Sequence, residues 1–186
     1  PQSPNCWYNL AMLQRRVGQY DQALASYQEA LDRGATEPEE VHLNRGVILA
    51  DDLHRPAEAG RELAAALRLN SGYVPALLNL ANLHEDCGRR DDAADAYQRI
   101  LTLEPDNLEA LARHANLRRF SDPADPLIAR LKSALARADA GAAGRASIGF
   151  ALGRALDACG EYAAAFDAYT LANRYSAESA GPAFIP

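Results

Sequence analysis

The stretch Leu77-Leu-Asn-Leu-Ala-Asn-Leu-His-Glu-Asp-Cys-Gly88, followed by Arg89-Arg-Asp-Asp-Ala-Ala-Asp-Ala-Tyr-Gln-Arg-Ile100, decides the fold. Leu77, Leu80 and Ala81 fall at three- and four-residue steps, as do Ala93, Tyr97 and Ile100, so each half reads as a helix with one apolar stripe. Gly88 separates them and supplies the turn. The same reading recurs upstream. Asn79-Leu80-Ala81 is preceded by Asn44-Arg45-Gly46 and Asn9-Leu10-Ala11, at spacings of 35 residues. Gly18 anticipates Gly88, Ala23 and Ala59 anticipate Ala93, and Tyr27 and Leu63 anticipate Tyr97. A period of about 34 residues, each copy a helix pair, is the signature of a repeat array.

Carried downstream, the frame places Leu111, Ala115, Leu127, Leu131 and Ala134 in a degenerate fourth copy whose turn is replaced by Asp122-Pro123-Ala124-Asp125-Pro126. Ala142 to Arg145 then shift the frame before a fifth copy with Gly153, Gly160, Ala165, Tyr169 and Ala172. In the first copy, Trp7, Leu10, Leu13 and Val17 form one stripe and Ala23, Leu24, Tyr27, Ala30 and Leu31 another. A single hairpin cannot bury both of its stripes, so neighbouring copies must stack. The expected fold is all-α, a right-handed α-solenoid of about five antiparallel helix pairs. It forms a single array over 1–186, with units at about 4–37, 38–73, 74–107, 108–141 and 146–179 and a tail at 177–186.

Trp7, Leu10, Ala11, Ala23, Tyr27 and Ala30, then Leu77, Leu80, Ala81, Ala93, Tyr97 and Pro105, closely resemble the tetratricopeptide repeat (TPR) family over about residues 4 to 176. Arg45 departs from that pattern where Leu is usual, Gln14 and His84 where Tyr is usual. The second turn carries an additional residue around Asp52-Leu53-His54. The resemblance implies that the first helix of each pair lines a concave groove that takes peptide segments.

Composition excludes other classes. The 186 residues carry 19 basic and 25 acidic side chains, a net charge of −6, which opposes nucleic acid as the default partner. No apolar run is long enough to span a bilayer, and no secretory h-region is evident, so no membrane partner and a cytoplasmic setting are expected. Roughly a fifth of the residues are Ala and 7% are aromatic. That balance suits close-packed helices better than a β-sandwich. Cys6, Cys87 and Cys159 form no short-spaced pair and fit a reducing compartment. Cys87 and Cys159 read as small core residues at helix crossings, and His84 with Cys87 offers two ligands where a metal needs three or four. No phosphate loop, nucleophile elbow or paired-carboxylate motif is present. No catalytic residue, metal or cofactor is therefore expected.

Asn9, Asn44 and Asn79 give one Asn per unit in the column facing the groove, with Asn82 and Asn116 a turn away and Arg113 in the fourth position of the column. An amide offers donors and an acceptor to the backbone of an extended peptide, so a row of them can hold one without reading its side chains. Alternatively, each Asn braces the adjacent repeat. The row is similar to the ladder lining the repeats of O-linked N-acetylglucosamine transferase. Asn79 and Arg113 also match two elements of the clamp by which some TPR proteins grip a peptide C-terminus, although Leu43, Val47 and Glu109 occupy its other places. Arg15, Arg16, Arg118, Arg119 and Arg154 are expected to add cations near the groove. The leading reading is a non-catalytic protein-interaction module.

The runner-up reads the chain, which begins at Pro1 and ends at Pro186, as the N-terminal binding array of a larger transferase. Phe150 to Phe166 and Asp125 to Leu131 look like the repeat region of bacterial TPR-sulfotransferase proteins, and a glycosyltransferase-like parent is the other form of that reading. Open solenoid ends also offer a route to self-association.

Overall fold

The computed structural model describes residues 3–137 and 141–180. They form ten α-helices and no strand among the described residues: α1 (Pro4–Arg16), α2 (Tyr20–Asp32), α3 (Pro38–Val47), α4 (Pro56–Leu69), α5 (Val74–Asp86), α6 (Arg90–Leu103), α7 (Leu108–Leu117), α8 (Pro126–Ala136), α9 (Ala142–Ala158) and α10 (Tyr162–Ala180). The chain is an α-solenoid by architecture, and it resolves into two compact units, Pro1–Ala96 and Tyr97–Pro186.

Local chemistry sets the helix ends. Pro4, Pro38, Pro56, Pro75 and Pro126 sit in first turns, where a missing N–H costs nothing and the fixed φ is already helical. At the end of α5, Gly88 has φ +71°. Its N–H donates to the Glu85 carbonyl at 2.9 Å and the Arg89 N–H reaches back to His84 at 2.8 Å, satisfying two terminal carbonyls. Gly18 and Gly160 repeat this geometry. The second copy has no such Gly. There α3 widens into a π-turn over Ile48–Asp52, and His54 takes φ +53°, which absorbs the additional residue.

In the first unit Ala11, Ala23, Tyr27, Val41 and Ile48 form one buried cluster, and Leu49, Ala59, Leu63 and Leu83 another. Fully buried Ala lets the helices approach closely, and the Tyr8 and Tyr27 rings meet edge to face at 5.6 Å. The expected first stripe is only partly covered: Leu13 is 60% and Val17 68% exposed.

In the second unit α9 packs against α7, α8 and α10. It buries Ile148, Ala151, Leu152, Ala155 and Leu156 around most of its circumference. Such a helix carries little amphipathic contrast, because it has few solvent-facing positions. Gly149 and Gly153 bring α10 close. A Cβ at Gly149 would lie 2.8 Å from that of Ala172, and one at Gly153 would lie 2.7 Å from the Tyr169 ring. Ala142 to Arg145, which shift the repeat frame, are the first turn of α9. The Asp122–Pro126 segment does connect helices, with the Asp125 carboxylate capping α8 by accepting from the Leu127 N–H at 2.8 Å. Helix α10 continues to Ala180, into the stretch expected as a tail. The remaining tail residues, 181–186, lie outside the described residues.

Candidate functional site

The structure distributes members of the groove column among separate clefts. Asn9 is exposed on α1 and lines a cleft of about 260 Å³ with Tyr8, Glu37 and Glu40. Asn79 and Asn82, half-buried on α5, share a narrower cleft of about 80 Å³ with Val47 of α3 and Asp51 of the π-turn. In the second unit Arg113 and Asn116, both exposed on α7, line a cleft of about 490 Å³ with Glu109, Gly144, Ser147 and Phe150.

Two of the amides, Asn44 and Asn79, are already engaged. Asn44 Nδ2 donates to Tyr8 Oη at 3.1 Å and to the Glu40 carbonyl at 3.0 Å, while the Tyr8 hydroxyl donates to Glu40 Oε1 at 2.6 Å. Asn44 thus ties α3 to α1. Burial pushes the Tyr8 phenol above its ordinary range, and the hydrogen bond and charge of Glu40 push it further. Asn79 Nδ2 donates to the Pro75 carbonyl of its own helix at 2.8 Å. In the Asn9 cleft the hydrogen bond and charge of Glu40 raise the Glu37 carboxyl.

Three of the cations expected near the groove make structural contacts instead. Arg15 Nε donates to Asp52 at 2.9 Å, Arg118 Nη2 to Asp125 at 3.1 Å, and Arg154 Nη2 to the Ala115 carbonyl at 3.0 Å. The cysteines also differ from expectation. Cys87 is exposed at the end of α5 and Cys159 is half-buried, so neither is a core residue. Both follow the last turn of their helices, where the chain leaves the packed face. Among the described residues no group of three or more His, Cys, Asp and Glu is placed to hold a metal ion. No helix there is long and apolar enough to cross a membrane.

Sequence reading missed one polar cluster. Arg45, noted only as a departure from Leu, donates from Nε and Nη2 to Glu62 Oε1 at 2.9 and 2.8 Å, and from Nη1 to the Leu24 carbonyl at 2.9 Å. The other carboxylate oxygen meets His42 Nδ1 at 2.7 Å. Desolvation pushes the Glu62 carboxyl up, but the hydrogen bonds and charges of His42 and Arg45 outweigh it and hold the pKa at about 2. The cluster joins α2, α3 and α4 where repeat packing would otherwise be apolar. The detectable signal was a charge in an apolar column, with His42 one turn before it.

Residues 4–33 and 74–117 match models described as Tetratricopeptide repeat. Among curated proteins, the human Protein O-mannosyl-transferase TMTC2 is 27% identical over 103 residues, 54% of this chain and 12% of that protein. The chain therefore spans only a small part of that relative. Among solved structures, the crystal structure of MamA protein superposes with TM-score 0.73 at 19% identity, covering 98% of both chains. The first TPR of Spaghetti (RPAP3), bound to the HSP90 peptide SRMEEVD, gives 0.55 at 23% identity, covering 62% of this chain and 93% of that one. Residues 4–33 and 74–117 thus match tetratricopeptide repeats, and the helix pairs with turn glycines at Gly18, Gly88 and Gly160 have the fold of that repeat.

Proposed function

We propose that the chain is a non-catalytic protein-interaction module that holds peptide on its first-helix faces, through Asn9, Asn44, Asn79 and Asn82 in the first unit and through Arg113 and Asn116 in the second. The repeat boundaries given above are part of this proposal. The observation that carries it is the 490 Å³ cleft between α7 and α9. Arg113 brings a guanidinium suited to a carboxylate, Asn116 an amide suited to peptide backbone, and Phe150, 40% exposed, an apolar surface for a side chain. The peptide in the RPAP3 structure supports the class of ligand. Asn44 enters as a brace, positioning the Tyr8–Glu40 pair beside Asn9.

Peptides selected from a random display library against the whole chain provide the test. Arg113→Ala with Asn116→Ala should weaken the selected peptides about tenfold to hundredfold, at about 1–1.5 kcal/mol for each lost bond. Undiminished binding would reject the groove. Asn44→Ala should instead lower stability by about 1 kcal/mol, because it removes a tie between α1 and α3.

A second reading rests on the likeness to the mannosyl-transferase: the chain is the partner-binding array of a larger transferase, sulfotransferase-like or glycosyltransferase-like. Transfer activity in the protein encoded by the intact reading frame, absent from this chain alone, would establish it.

A further inference from the structure

Helix α4 carries a second stripe that the core does not use. Arg61, Ala64 and Arg68 follow at three- and four-residue steps, on the side opposite buried Ala59, Leu63 and Ala66. On α5, Leu80 and His84 lie one turn apart. At about 100° per residue they face away from Asn79 and Asn82. Between these surfaces is an open cleft of about 570 Å³, and Arg89 also lines it.

The charges in this cleft are unmatched. Arg15, Arg33, Arg45 and Arg55 each reach a carboxylate. Arg61, Arg68 and Arg89 make no ion pair or side-chain hydrogen bond among the described residues, and no carboxylate lines the cleft. Three guanidiniums thus share a concavity within a chain of net charge −6. The buried Nδ1 of His84 has no hydrogen-bond partner. Desolvation and the Arg89 charge lower the pKa of His84, with Asp92 opposing them, so the imidazole lines the cleft in its neutral form at pH 7. Leu80 and Ala64 add apolar surface.

Spacing selects the ligand. Seven residues separate Arg61 from Arg68, about 10 Å along the helix axis. That span is wide for a single phosphate group, whereas side chains three residues apart on a peptide in the polyproline II conformation lie on one side of it, about 9 Å apart. Each guanidinium presents a fork that matches one carboxylate. We propose that the α4–α5 cleft is a second binding site, on the face away from the peptide groove, for an acidic segment of a partner protein with carboxylates about three residues apart.

The probe is a fluorescein-labelled, C-terminally amidated hexapeptide AELAEA, titrated by anisotropy against the whole chain. The amide removes the terminal carboxylate that Arg113 would read. Arg61→Gln with Arg68→Gln should weaken binding about tenfold. Arg113→Ala should leave it unchanged, and raising the salt from about 50 to 300 mM should weaken it in wild type. The substituted arginines are exposed, so an unchanged melting temperature certifies folding. No binding by the probe, equal binding by its AQLAQA analogue, or equal binding by the double variant would overturn the site. Displacement of the probe by inorganic phosphate as efficiently as by unlabelled peptide would overturn the peptide assignment in favour of a phosphate site. Self-association of the chain that the double variant abolishes would reassign the cleft to a second copy.

Discussion

Glu62→Gln perturbs the cluster that joins α2, α3 and α4 while leaving its shape nearly intact. The wild-type carboxylate accepts two bonds from Arg45 and faces His42 with its other oxygen, and its side chain is only 16% exposed. Its pKa lies at about 2 in the folded chain, against an ordinary value of 4.5. A depressed folded value means that ionised Glu62 favours the native state. That contribution is fully present above about pH 5 and is lost as pH falls toward 2. The gap between the two values corresponds to about 3 kcal/mol at neutral pH, falling to roughly 1 kcal/mol at pH 3. Urea unfolding of wild type and Glu62→Gln, repeated from pH 7 to pH 3, measures it. The variant should be less stable by about 2–3 kcal/mol at pH 7, because Arg45 keeps its buried position and loses its counter-charge. The difference should shrink by more than half at pH 3. A difference independent of pH would mean that ionised Glu62 does not favour the native state, since neutral packing loss does not titrate.

Other substitutions test the turns and the helix contacts. Gly88→Val should cost about 1–3 kcal/mol purely through its φ of +71°, since nothing lies within 4 Å of an added Cβ; an unchanged urea midpoint would contradict this. Gly149→Ala gains about 1 kcal/mol of helix propensity but meets Ala172 Cβ at 2.8 Å and backbone at 3.2 Å, so thermal unfolding should show a net loss of about 1–2 kcal/mol. Gly153→Ala should cost less, because the obstructing Tyr169 ring is half-buried and can swing. In a timed thiol assay on native protein, exposed Cys6 and Cys87 should react before Cys159. The Cys159 thiol is held above its ordinary pKa by desolvation and by the charges of Asp122, Asp125 and Glu161.

The fold was legible because its determinants are periodic and local. Gly88 marks a turn by conformation alone, and Ala23, Ala59 and Ala93 mark crossings by size alone. The additional residue near Asp52 was legible as an insertion, but its form was not. A π-turn ending near His54 at positive φ is one of several backbones that fit the same count. The site was less legible because a column in sequence says where a side chain begins and not where its polar atoms go. Asn44 and Asn79 share a column, yet one donates across to Tyr8 and the other to its own helix. The Arg45–Glu62–His42 cluster joins three helices, so each residue alone looks like a misplaced charge. Cys87 was misjudged because the residue before a turn Gly already leaves the packed face.

Whether peptide binds the first-helix faces is read from backbone amide chemical-shift mapping of a display-selected peptide on the isotope-labelled chain. The largest perturbations should fall at Arg113 and Asn116 on α7 and at Ser147 and Phe150 on α9 in the second unit, or at Asn79 and Asn82 on α5 in the first. Perturbations confined to α2, α8 and α10, with those residues unmoved, would contradict binding there.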